Sequence, residues 1–181
     1  GGRVTWTEGR DVWYEELMAK ASADCPPEHM DAEDPLFILY TSGSTGRPKA
    51  AIMTHRGMLW YVDYNHRYWP SAESSRGLVA LPLFHKNALR GTVKPLLFAG
   101  GSFVLMPGYE PRAYLEALAK YKCTYSRGVA AVFTMFLQYR DLLKTLDLSN
   151  LKSMTIGSAV VTPELLEFVN RALPHIKVEE S

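Results

Sequence analysis

The chain has 181 residues, 47% of them hydrophobic and 22% charged, a balance that supports one sizeable core and the length of a single domain or part of one. The formal net charge of +1 leaves no electrostatic footprint for nucleic acid. No apolar run is long enough to span a bilayer, no secretory signal is present, and two cysteines, Cys25 and Cys123, are too few for a disulfide framework. A cytoplasmic protein is the expectation.

Residues 1–10 are polar and Gly-rich. From Asp11 to about Ser22, the spacing of Trp13, Leu17, Met18 and Ala21 predicts an amphipathic helix, with Asp11 as its cap. Prolines and acids between Ala23 and Pro35 predict a loop. The continuous apolar run from Leu36 to Tyr40 predicts a buried strand. Thr41-Ser42-Gly43-Ser44-Thr45-Gly46-Arg47-Pro48-Lys49 follows as a loop, then a strand from Ala50 to Thr54 and a helix from Arg56 to Trp69.

Strands and helices then alternate. Strands are predicted at Gly77–Leu81, Ser102–Met106, Met154–Ile156 and Ile176–Glu179. Helices are predicted at Asn87–Phe98, Pro111–Tyr121, Ala130–Leu143 and Pro163–Ala172, with Pro111 and Pro163 suited to a first helical turn. This alternation implies an α/β architecture with a largely parallel sheet and flanking helices.

The loop carries the clearest chemistry. Six consecutive residues, Thr41, Ser42, Gly43, Ser44, Thr45 and Gly46, are Gly, Ser or Thr, and Lys49 adds a positive charge. Closely spaced backbone N–H groups, hydroxyls and a lysine can cradle a polyphosphate. The pattern is neither the Gly-Lys-Ser/Thr loop of nucleotide hydrolases nor a Gly-x-Ser-x-Gly nucleophile elbow. Composition alone leaves a phosphate loop and a plain turn or linker both open.

From Tyr40 to Lys49, and on to Thr54-His55, the sequence closely resembles the signature of the adenylate-forming superfamily. Ala50 stands where that family usually has Gly. Leu81-Pro82-Leu83-Phe84-His85-Lys86-Asn87 resembles a second landmark of the family, which places His85 near the acyl pocket and the path of coenzyme A; alone, His85 reads as a locally hydrogen-bonded turn residue. Gly157-Ser158-Ala159-Val160 resembles the stretch lining the adenine and carboxylate site, and Gly128-Val129-Ala130 a segment before a helix.

The resemblance covers nearly the whole chain, in family order. Residues from about Gly9 to Lys49 look most like acetyl-CoA synthetases, and those from His55 onward like medium- and long-chain acyl-CoA ligases. It implies part of the large N-terminal domain of an acyl-CoA synthetase, incomplete at both ends and without the C-terminal domain. It implies ATP, Mg²⁺ and coenzyme A as cofactors or co-substrates, and a carboxylic, fatty acid as substrate. Thr41, Ser42, Gly43, Ser44, Thr45, Gly46, Lys49, Gly157, Ser158 and Ala159 would bind nucleotide.

The family's Mg²⁺-binding Glu motif and its adenylation lysine have no counterpart here, so the isolated chain is expected to turn over barely or not at all. Transfer to a carrier protein, or a degenerate nucleotide-binding module, are the rival readings. The five histidines show no metal-ligand spacing with the cysteines. Trp60, Tyr61, Tyr64 and Tyr68 lie at helical spacing, which predicts core packing.

Overall fold

The computed structural model describes residues 5–41, 46–68, 71–157 and 161–180. Two compact units divide the chain, Gly1–Asp31 and Ala32–Ser181.

In the first unit, α1 (Tyr14–Lys20) is shorter than the predicted helix, and none of its residues is buried. Asp11 does not cap it. The Asp11 carboxylate instead accepts from the Thr7 N–H at 2.7 Å and pairs with Arg10, which holds it below the usual carboxylate range. Trp6 and Trp13 stack with ring centroids 4.7 Å apart.

The second unit opens with β1 (Pro35–Thr41) and β2 (Lys49–Thr54), which pair antiparallel as a separate two-stranded sheet. The expectation of a buried strand at Leu36–Tyr40 is therefore corrected. No residue of β1 is buried, because the strand joins a hairpin and leaves Ile38 and Tyr40 exposed. The helix α2 (His55–Tyr68) follows directly, and its start is tied to the beginning of the hairpin by the Arg56 N–H donating to the Ala32 carbonyl at 2.8 Å.

Met58, Val62 and Asn65 form the buried face of α2, spaced at helical period. The aromatic stripe lies elsewhere: Trp60 and Tyr68 are 66% and 64% exposed. The rings pack on one another, Trp60 stacked on Tyr64 at 5.5 Å and Tyr64 tilted against Tyr68 at 4.5 Å, instead of entering the core. Helical spacing sets that they share a face; it does not set which face is covered.

The main sheet holds β3 (Arg76–Val79), β4 (Ser102–Leu105), β5 (Tyr125–Val129), β6 (Ser153–Gly157) and β7 (Lys177–Glu180). All neighbours are parallel, in the order β4-β3-β5-β6-β7. Between β3 and β4 runs one irregular helix: α3 (Lys86–Ala88), a π-helical turn at Leu89–Val93, and α4 (Lys94–Phe98). The helix α5 (Pro111–Lys120) precedes β5. After β5 the predicted single helix is broken into α6 (Ala130–Thr134), a 3₁₀ segment Met135–Tyr139 and α7 (Arg140–Thr145). Finally α8 (Pro163–Ala172) joins β6 to β7, at its predicted bounds.

Two helix starts follow directly from sequence. The Glu110 carboxylate accepts from the N–H groups of Arg112 (3.0 Å) and Ala113 (2.7 Å), with Pro111 at the first turn of α5. The Thr162 hydroxyl accepts from the Leu165 N–H at the start of α8. The principal core lies on one face of the sheet, where Leu78, Met154 and Ile156 meet Leu115, Phe133, Phe136 and Val169.

The central strand β5 has no counterpart among the predicted strands. Its sequence, Tyr-Ser-Arg-Gly-Val, lacks the apolar run expected of a strand buried on both faces. Ser126 is fully buried and is satisfied by the Tyr114 hydroxyl at 2.8 Å. Desolvation pushes the Tyr114 phenol well above its ordinary value. Arg127 points to the opposite face, away from the core.

Candidate functional site

The strand order contains a reversal. From β3 the chain steps to β4 on one side, then crosses back to β5 and continues through β6 to β7. In open parallel sheets, ligands bind outside the carboxyl ends of the strands at such a switch point. Here the switch lies between β3 and β5.

Several predicted residues collect at those carboxyl ends. The segment Ala80–His85 leaves β3, Val129 ends β5, and Gly157 ends β6, paired with Val129. Gly157 is buried; Ser158 and Ala159 lie outside the described residues. His85 sits at the start of α3, where its Nδ1 accepts from the Asn87 N–H at 3.2 Å. The His85 backbone N–H donates to the Pro82 carbonyl at 2.9 Å. The local turn role read from sequence is thus present, and the rest of the exposed ring faces out beside Phe84, itself 82% exposed.

A groove lies next to them; the resemblance of Leu81–Asn87 to the acyl-pocket landmark pointed to one wall of it, and nothing in the sequence pointed to the wall at Met106 and Tyr109. The groove has a volume of about 850 Å³ and is lined by Leu81, Leu83, Phe84, Met106 and Tyr109 at the ends of β3 and β4. The Tyr109 hydroxyl donates to the Val132 carbonyl at 2.6 Å, which fixes one wall. Burial raises that phenol far above its ordinary value, so it stays protonated as a donor.

The predicted phosphate loop joins β1 to β2. Thr41 and Lys49 are cross-strand partners, and the Thr41 hydroxyl donates to the Lys49 carbonyl at 3.4 Å. Gly46 has φ +88°, a left-handed conformation that favours glycine. Ser42, Gly43, Ser44 and Thr45 lie outside the described residues. A cation, a hydroxyl and a left-handed glycine thus stand at the mouth of a hairpin. That donor set suits phosphate oxygens. A contact between the Lys94 ammonium and the Phe37 ring, 6.0 Å from its centroid, links the hairpin to α4.

Among the described residues, no group of three or more His, Cys, Asp or Glu side chains converges to hold a metal ion. No described helix is long and apolar enough to cross a membrane.

Residues 3–181 match the family described as AMP-binding enzyme. The chain belongs to that family. An acetyl-coenzyme A synthetase of Vibrio cholerae is 34% identical over 189 aligned residues, covering 98% of this AMP-binding chain and 28% of that protein. The acetyl-coenzyme A synthetase of Magnetococcus marinus is 66% identical, but over only 65 residues, 36% of this chain and 10% of that protein.

Among solved structures, the inhibitor-bound N-terminal domain of FACL13 from Mycobacterium tuberculosis superposes with a TM-score of 0.82 at 26% identity. It covers 92% of this chain and 41% of its own. ATP-bound MatB from Rhodopseudomonas palustris gives 0.80 at 27% identity, covering 92% and 33%. The fold is that of the N-terminal domain of adenylate-forming enzymes. The AMP-binding chain spans little more than a quarter of the Vibrio cholerae protein's length.

Proposed function

We propose that this chain is part of the large N-terminal domain of an ATP-dependent acid–thiol ligase, and that the β1–β2 loop holds the phosphates of ATP. The observation that carries the reading is the loop's construction, with Thr41, Gly46 and Lys49 at the mouth of a hairpin in a chain of the AMP-binding family.

Lys49 and the hydroxyl and backbone donors of residues 41–46 would hold the β- and γ-phosphates, which leave together as pyrophosphate. Gly157, at the end of β6, and Ser158 and Ala159 after it would line the adenine and carboxylate side. In this reading a carboxylate oxygen attacks the α-phosphorus of ATP. The bond from that phosphorus to the bridging oxygen of the β-phosphate breaks, giving acyl-adenylate and pyrophosphate. The thiol of coenzyme A then loses its proton and attacks the acyl carbon, releasing AMP. Mg²⁺ would neutralise phosphate charge when bound. His85, beside the groove, would border the acyl group or the thiol's path. Positioning and charge stabilisation supply most of such catalysis.

The acid is proposed to be short and acetate-like, because both acetyl-coenzyme A synthetases align with this chain. The apolar groove at Leu81–Phe84 and Met106 favours a second reading, a longer fatty acid. A cytoplasmic location belongs to the same proposal.

The test is a chimera carrying this chain in place of the matching segment of the Vibrio cholerae synthetase, assayed by ATP–pyrophosphate exchange. Exchange dependent on acetate supports the short-acid reading, and exchange dependent on octanoate supports the fatty-acid one. A folded chimera that binds no ATP points to a degenerate module. If exchange persists but acyl groups pass to a carrier protein and not to coenzyme A, the acceptor is reassigned. The 181-residue chain alone is expected to bind ATP without exchange.

A further inference from the structure

The face of the sheet opposite the main core is polar along β5, β6 and β7. Tyr125, Arg127, Ser153, Thr155, Lys177 and Glu179 all line one pocket of about 250 Å³ there. Strands of a parallel sheet are ordinarily apolar on both faces, so six polar side chains on one face need a reason. Thr124 and Lys152, just before β5 and β6, also line the pocket. Among the described residues, neither Thr41, Gly46 and Lys49 nor the lining of the carboxyl-end groove contributes to it.

Arg127 is the centre of this pocket. Its Nε donates to the Tyr125 hydroxyl at 2.7 Å, and that hydroxyl shares a 3.2 Å hydrogen bond with Thr155, which is almost fully buried. The guanidinium is thereby pinned at Nε. Its two terminal nitrogens have no acceptor among the described residues. Among the described residues Glu179 is the single carboxylate lining the pocket, and it is already paired with Lys177 at 2.5 Å. Lys152 lines the same pocket and has no carboxylate partner among the described residues.

The opposite wall is the π-helical turn. A Cβ on Gly91 would stand 2.8 Å from Arg127 Nη1, so the glycine leaves room for the fork where it lies. A partly buried guanidinium without a counter-ion is costly, and its free edge matches an oxyanion in bidentate geometry.

We propose that the Arg127 pocket is a second anion site, distinct from the β1–β2 loop, that takes a phosphate-sized oxyanion. Arg127 supplies two parallel N–H donors, and Lys152 adds charge at the rim. This inference does not depend on the ligase reading.

The test is titration of the 181-residue chain with inorganic phosphate at constant ionic strength, followed by calorimetry and by amide chemical shifts. Saturable binding with shifts at Tyr125, Arg127 and Thr155 is expected. Arg127→Gln should weaken it about tenfold, the usual scale for losing a charge-assisted pair. Gly91→Ala provides a second variant, which displaces the fork without removing charge or disfavouring helix, and should weaken binding too. Lys49→Ala should leave this binding unchanged. Absence of saturable binding in the unaltered chain overturns the proposal. So does phosphate binding that Lys49→Ala abolishes while Arg127→Gln and Gly91→Ala leave it intact.

Discussion

Thr41 and Lys49 face each other across the last rung of the β1–β2 hairpin, joined by a hydrogen bond from the threonine hydroxyl to the lysine carbonyl. The backbone ladder therefore fixes both ends of the loop, whatever its side chains do. The lysine's ammonium takes no part in that ladder.

Lys49→Ala should accordingly cost ligand affinity and not stability. We expect ATP binding to weaken about tenfold, with the thermal midpoint essentially unchanged. Isothermal titration with ATP, paired with a melting curve, checks both halves. An unaltered dissociation constant removes Lys49 from the phosphate site.

Gly46 makes a separate demand. Among the described residues nothing lies within 4 Å of a Cβ built there, so against them Gly46→Ala meets no clash and suffers the strain of φ +88°. That strain is about 1–2 kcal/mol for an L-residue. Urea unfolding should show a loss of this order, or ATP affinity should fall if the loop relaxes instead. A variant unchanged in both respects would remove the conformational requirement.

The core and the aromatic stripe should respond oppositely. Phe133 is fully buried against Phe136, with ring centroids 5.4 Å apart. Phe133→Ala should destabilise by about 3–5 kcal/mol through lost burial and a residual cavity. Trp60→Ala, on the exposed face of α2, should change stability by about 0.5 kcal/mol or less. Denaturant titration of the two variants side by side decides it. Equal losses would mean that the stripe is covered.

The two thiols should be distinguishable. Cys25 is exposed and Cys123 is buried, and burial pushes the Cys123 thiol up to about 11. Iodoacetamide at neutral pH should modify Cys25 and spare Cys123 in the native chain, as peptide mass mapping would show. The folded-state value lies above the ordinary one near 9, so the unfolded chain loses the proton first. The contribution of Cys123 to stability is complete below about pH 9 and declines as pH rises through about 11. A Cys123→Ala variant should lose part of this alkaline decline.

Much of the architecture was legible because local signals agreed with the fold. Pro111 and Pro163 mark helix starts that Glu110 and Thr162 cap, and α8 runs over its predicted residues. The alternation of elements announced a parallel sheet, and the small-residue run from Thr41 announced the loop between two strands. The central strand β5 was not legible. Its polar residues make sense only once Tyr114 satisfies Ser126 and Gly91 leaves room for Arg127.

The sequence by itself determined the α/β class, the loop and the resemblance to adenylate-forming enzymes, because each rests on short-range pattern or motif. Tertiary structure alone decided that Leu36–Tyr40 lies in a hairpin strand with no buried residue, that the stripe at Trp60 faces outward, and that Arg127 heads a polar pocket. Periodicity reports which residues share a face. Which face is covered depends on elements far away in the chain, and so it is decided only when those elements pack.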